Sequence, residues 1–192
     1  MENQVTAVSR SCYHQISRIG TIRQYITEEC CKILVHSLVT SRLDYANSLL
    51  YGIPQSMLGR LQRVQNCAAR LITRKRKHDH ITPTLKSLHW LPVHLRCQYK
   101  ILMLTFKALQ QTAPSYLQEL IVRYTPSRSL RSESASLLAV PTARTEMYGN
   151  RCLDKSASTL WNRLPEELRK TLTVNTFRKG LKAFLCDIAY PQ

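Results

Sequence analysis

The chain has 192 residues, 44% of them hydrophobic and only five glycine, so it can bury a real core and wholesale disorder is excluded. Lysine and arginine number 28 against 12 acidic residues, a net charge of +16, which favours a polyanionic partner: nucleic acid first, an acidic membrane surface second. The opening MENQVTAVSR is polar, which speaks against a signal peptide there, and no apolar run approaches the length of a membrane span.

Taken in order, Ser9 to Tyr25 predicts a helix with a modest apolar stripe at Tyr13, Ile16 and Ile19 or Gly20, with Arg10, Arg18 and Arg23 lying elsewhere. Thr27-Glu28-Glu29 is a helix start, a hydroxyl cap followed by carboxylates against the N-terminal dipole. The helix it opens is expected to run through Ile33, Leu34, Leu38, Tyr45 and Leu49 to a stop at Gly52-Ile53-Pro54.

The stretch Arg60 to Pro92 carries the sharpest pattern. At roughly 100° per residue, Met57, Leu58, Leu61, Val64, Ala68, Leu71 and Ile72 share one helical face. Arg60, Arg63, Arg70 and Arg74 share the other, with Cys67 among them and no acidic residue between. Continued helix would turn Lys75 and Arg76 toward the apolar side, so the helix is expected to end near Thr73 or Arg74 and Lys75, Arg76 and Lys77 to form a loop. A short helix opens at Thr82-Pro83 and closes by Trp90-Leu91-Pro92.

Val93 to Gln110 predicts a core helix, because Leu95, Tyr99, Leu102, Phe106 and Leu109 recur at spacings of four and three. Its stripe and that of the Arg60 helix are expected to share one core. Pro114 opens a short helix ending near Tyr124, and Thr125 to Ser136 reads as a Ser/Arg-rich linker. Beyond it, Leu137–Val140 and Ala143–Tyr148 are placed as a short hairpin, Cys152 to Trp161 and the Pro165-Glu166-Glu167 turn as helices, and Thr173 to Cys186 as the last helix. Phe177, Leu181, Phe184 and Leu185 face inward on that helix, and Arg178, Lys179 and Lys182 outward. The fold class is mainly α: a helical, bundle-like domain with at most one short β-hairpin in the C-terminal third. The organisation expected is a helical thumb-like domain over residues 1–124, the linker over 125–136, and a small C-terminal extension over 137–192 packing back on the helices.

Several chemistries lack their residues. The four aspartates, Asp44, Asp79, Asp154 and Asp187, are scattered, whereas two-metal phosphoryl transfer needs carboxylates brought together. There is no glycine-rich phosphate loop. His78, His80, His89, His94 and Cys97 lie near one another in sequence, but structural zinc usually shows two paired motifs, and Cys30-Cys31 is no chelating pair. No elbow or family signature supports a Cys-His nucleophile. No metal or other cofactor is therefore expected. The seven cysteines, odd in number and irregular in spacing, are read as reduced thiols of an intracellular protein, nuclear or cytoplasmic and not secreted.

The stretches LVTSRLDYANSLLYGIP, RLQRVQNCAARLITRKRKHDHITPTLKSLHWLPV, KILMLTFKALQQTAPSYL, SRSLRS and LWNRLPEELR, in this order and spacing, carry a resemblance. From about Val8 to Ala189 the chain resembles the C-terminal part of reverse transcriptases of LINE-type, non-LTR retrotransposons of the jockey-like group. The resemblance implies a region lying after the polymerase palm, whose thumb-like helices and C-terminal extension hold template and primer. The family's aromatic-Ala-Asp-Asp catalytic turn has no counterpart here, nor has its endonuclease.

The resulting expectation is a fragment of an RNA-directed DNA polymerase that is not an enzyme on its own. It binds RNA or DNA backbone without sequence preference through Arg60, Arg63, Arg70, Arg74, Lys75, Arg76 and Lys77, because cations on phosphates release condensed counterions without reading bases. A reverse-transcriptase palm supplied in trans is the second partner implied, and no membrane is involved. The alternatives are a helical protein-interaction domain and a non-functional remnant of a mobile element. Tyr51, Trp90 and Tyr99 are the aromatics available for base stacking, with Trp90 assigned to the core by its LHWLP context, and Arg74 to Lys77 also reads as a weak nuclear-localisation patch.

Overall fold

The computed structural model describes residues 1–126, 136–142, 145, 149 and 151–191, and these are mainly helical, as the periodicity predicts. Contacts divide the chain into two compact units: residues 1–97 with 188–192, and residues 98–187. The division falls inside one helix, whereas the sequence reading put its boundaries at residues 124 and 136, where the periodicity breaks. Residues 127–135 of the expected linker lie outside the described residues.

In the first unit, α1 (Glu2–Ile22) buries Val5, Ser9, Cys12 and Ile19. It starts at Glu2, not Ser9, because Val5 and Val8 add a first turn of apolar contact within a segment whose overall composition is polar. α2 (Glu28–Val35) opens as expected: the Thr27 side chain accepts a hydrogen bond from the Cys30 N–H, with Glu28 and Glu29 in the first turn. A π-helical turn (His36–Thr40) follows, then α3 (Ser41–Asp44) and a 3-10 turn (Asn47–Leu50).

The fully buried hydrophobic residues of this run are Cys31, Val35, Val39 and Leu43; of the residues named for the expected helix, Leu34 and Leu38 pack half-buried against the same core, while Ile33, Tyr45 and Leu49 are exposed. The wide π turn is the reason. In an α-helix residues four apart drift steadily around the axis, and the wider turn holds that spacing nearly in register with the core. Ala46 then takes a left-handed conformation that ends the helical path.

α4 (Gln55–Thr73) packs on α1 and α2. Leu61, Val64, Ala68 and Ile72 enter a core with Val5, Cys12, Ile19, Val35, Val39 and Val93. α5 (Thr82–Ser87) carries proline in its first turn. It closes on His89, at φ 54°, with Trp90 N–H donating to Leu85 O (2.9 Å) and His89 N–H to Lys86 O (3.0 Å). These bonds satisfy the last carbonyls of the helix, an end usually built with glycine. α6 (Val93–Leu109) ends the same way on Gln111, at φ 55°, with Thr112 N–H reaching Lys107 O at 2.9 Å.

The C-terminal ends of α1 and α4 are joined by Arg23, which is only 9% exposed. Its guanidinium donates to Leu71 O (2.9 Å), Ile72 O (2.7 Å) and Ile26 O (3.0 Å), so a cation sits on the negative end of α4. Arg23→Ala should therefore cost about 2–3 kcal/mol in urea denaturation, because partly buried carbonyls lose a charged donor. A loss below about 0.5 kcal/mol would mean that water replaces the guanidinium freely.

In the second unit the rest of α6 meets α7 (Ser115–Glu119), α8 (Leu153–Asn162), α9 (Glu166–Arg169) and most of α10 (Val174–Ala189). Ile101, Leu102 and Phe106 of α6 are buried, as are Leu160 and Trp161 of α8 and Phe177, Leu181 and Leu185 of α10. The expected common core is thus two: Val93 belongs with α4, and Phe106 stacks on Phe177 with centroids 4.2 Å apart. Arg178, Lys179 and Lys182 are exposed as expected, while Phe184 is only half-buried.

α7 is shorter than predicted. The chain leaves it to pair in extended form with Leu137–Ala139: Tyr124 N–H donates to Leu137 O (3.0 Å) and Ala139 N–H to Val122 O (2.9 Å). Leu137–Val140 therefore has a partner upstream, and most of Ala143–Tyr148, its expected hairpin partner, lies outside the described residues. The Asn162 side-chain amide holds the other edge, exchanging two 2.9 Å bonds with the backbone of Leu138.

Candidate nucleic-acid interface

Why α4 can offer a basic face follows from its packing. One side is filled by Leu61, Val64, Ala68 and Ile72, so residues opposite must meet solvent or a partner. Arg60, Arg63, Arg70 and Arg74 lie within roughly 80° of azimuth on that opposite side. Arg63 and Arg74 are exposed; Arg60 and Arg70 are half-buried. Among the described residues none of the four forms an ion pair with a carboxylate.

Three of them are nevertheless anchored. Arg60 Nη2 donates to Thr6 Oγ1 on α1 (3.1 Å), Arg70 Nη2 to Asp79 O (3.2 Å), and Arg74 Nη2 to Arg23 O (3.0 Å). Each bond fixes a side chain without cancelling its charge. Arg74 ends the helix at φ 53°, and Lys75 N–H closes it on Arg70 O at 3.2 Å. A non-glycine residue in this region is strained, so the helix end is held by its surroundings. Lys75, Arg76 and Lys77 follow as an exposed turn.

Two features lay beyond the sequence reading. Asp79 folds back on the turn, its carboxylate accepting the Arg76 N–H at 2.7 Å. The loop therefore carries one negative charge beside its three positive ones. The strip also has an uncharged gap of about 10 Å between Arg63 and Arg70, occupied by Asn66 and Cys67. Beside that gap runs α1, parallel to α4, and Arg10 and Tyr13 of α1 line a groove with Arg60 and Arg63. Burial and the neighbouring Cys67 thiol push the Tyr13 hydroxyl above its usual range, with Arg63 opposing. Arg10 and Tyr13 were invisible as site residues because nothing local says which flank of α1 meets α4.

The other residues singled out in the sequence are placed as follows. Trp90 is half-buried against Leu85, and the Arg96 guanidinium lies 6.0 Å from its ring centroid. Tyr51 and Tyr99 are also half-buried. Asp44 receives a two-pronged ion pair from Arg96 Nη1 (2.7 and 2.8 Å), and Asp79 caps its loop. Burial, with Asp44 adding to it, pushes the Cys97 thiol up to about 12, which favours its protonated form at neutral pH. Among the described residues no three His, Cys, Asp or Glu side chains converge as metal ligands, and no helix is long and apolar enough to cross a membrane.

No protein-family model, curated protein or solved structure matches the chain.

Proposed function

We propose that this chain binds nucleic-acid backbone, RNA or DNA, without reading bases, as a non-catalytic fragment related to the C-terminal region of a retrotransposon reverse transcriptase. The observation that supports this reading is a row of arginines on one face of α4, running into the exposed Lys75–Lys77 turn; among the described residues none of the seven side chains forms an ion pair with a carboxylate, and the one acidic group at the turn, Asp79, bonds the Arg76 backbone. The relation to a polymerase rests on the sequence resemblance alone. Fluorescence anisotropy with two unrelated single-stranded oligonucleotides of equal length should give affinities within about threefold of each other, as phosphate contacts require. On a primed RNA template with magnesium the same preparation should leave the primer unextended. A tenfold preference between the two strands, or extension that Asp→Asn changes in the chain abolish, would contradict the proposal.

A second reading is favoured by another observation. Ile33, Tyr45 and Leu49 are exposed at 62% or more, and an apolar hollow of about 250 Å³ is lined by Val5, Val8, Leu43, Tyr45 and Leu49. A chain that docks on a protein, a polymerase palm included, would use such a surface, and its binding would respond little to salt.

A further inference from the structure

We infer that the groove between α1 and α4, lined by Thr6, Ser9, Arg10, Tyr13, Arg60 and Arg63, is a seat for a single phosphate dianion. Its volume is about 380 Å³, ample for one phosphate group with its attached sugar. Three arginines line it, and among the described residues no carboxylate does. Arg60 is held in place by Thr6, while Arg10 and Arg63 are exposed. The deciding feature is Ser9. It is only 7% exposed, it lines the groove, and its hydroxyl has no hydrogen-bond partner. A buried hydroxyl left unpaired is costly, and an oxyanion in the groove would accept its proton.

Three arginines for one ligand fit a phosphomonoester, which carries nearly two charges at neutral pH, better than a phosphodiester, which carries one. The exposed edge of Tyr13 gives the organic part of such a ligand a surface to pack on. Two sources share this chemistry: a small free phosphate and the phosphorylated end of a strand. Only the second rests on the nucleic-acid reading above. The groove lies toward the N-terminal end of α4, and the Lys75–Lys77 turn follows its C-terminal end, so the two are separable by mutation.

The test is calorimetric titration of the full chain with inorganic phosphate at constant ionic strength, beside an oligonucleotide with and without a terminal phosphate. Inorganic phosphate should bind saturably with one site. The double variant Ser9→Ala, Arg10→Gln should weaken it by at least about tenfold, since a charged hydrogen bond is lost with each change. Its thermal unfolding should stay at or above the parent's, because removing an unpaired buried hydroxyl costs nothing in the fold. If the terminal phosphate also tightens oligonucleotide binding, and the double variant erases that difference alone, the strand end is the source. Phosphate binding without that difference assigns the seat to a small phosphate. If inorganic phosphate shows no saturable binding, or the double variant binds it unchanged, the inference is overturned. The salt-dependent binding of oligonucleotides through the Lys75–Lys77 turn would stand regardless.

Discussion

Phe177→Ala is expected to destabilise the second unit by about 3–5 kcal/mol, the range for removing a fully buried aromatic side chain. Phe177 is 0% exposed and lies between Phe106, stacked at 4.2 Å and 12°, and Trp161, tilted at 5.7 Å. Three helices, α6, α8 and α10, contribute one ring each. Alanine would leave a cavity, and it would also forfeit two aromatic contacts worth about 0.5–1.5 kcal/mol each beyond their area. Trp161 is additionally tied by its indole N–H to Ser136 O at 2.9 Å, so the cavity would loosen the extended segment as well. Urea denaturation followed by tryptophan emission measures the effect. A loss under about 1 kcal/mol would mean that the rings do not form a packed core.

The apolar face and the C-terminal end of α4 were legible because two independent signals agree. Its apolar stripe runs without a break, and Lys75 and Arg76 would fall on the wrong side if the helix went on; the left-handed Arg74 is where it stops. The same logic did not find the buried line Cys31, Val35, Val39 and Leu43. Periodicity assumes a constant turn, and one π turn shifts every later side chain. α6 was legible as a buried helix, but no local pattern says that Val93 and Phe106 serve different cores.

The candidate site divides in the same way. That Arg60, Arg63, Arg70 and Arg74 share a face follows from spacing within one helix. That Ser9, Arg10 and Tyr13 stand beside them depends on helices about fifty residues apart in sequence packing in parallel, which spacing cannot encode. Asp79 escaped for a subtler reason: its carboxylate reaches the basic turn only because the chain doubles back over residues 76–79.

Changing Lys75, Arg76 and Lys77 together to alanine should have the largest effect on binding. All three are exposed, and among the described residues none makes a side-chain hydrogen bond or ion pair that the fold needs. Stability should therefore change by about 0.5 kcal/mol or less. Each cation that meets a phosphate adds nearly one unit to the slope of log K against log salt, so the triple variant should flatten that slope by about two to three units. The loss should be alike for unrelated sequences. An unchanged affinity and slope would make the turn a solvated loop, and the exposed apolar surface around Tyr45 and Leu49 would become the better candidate for function.

If this surface binds by charge, the affinity of the unmodified chain must fall steeply as salt rises. Titrating a duplex oligonucleotide at several salt concentrations should give a straight line with a slope of about −4, from Arg63 and the three cations of the turn, with anchored arginines adding to it. A slope near zero, with binding retained at high salt, would contradict the account and assign the interaction to an apolar docking surface.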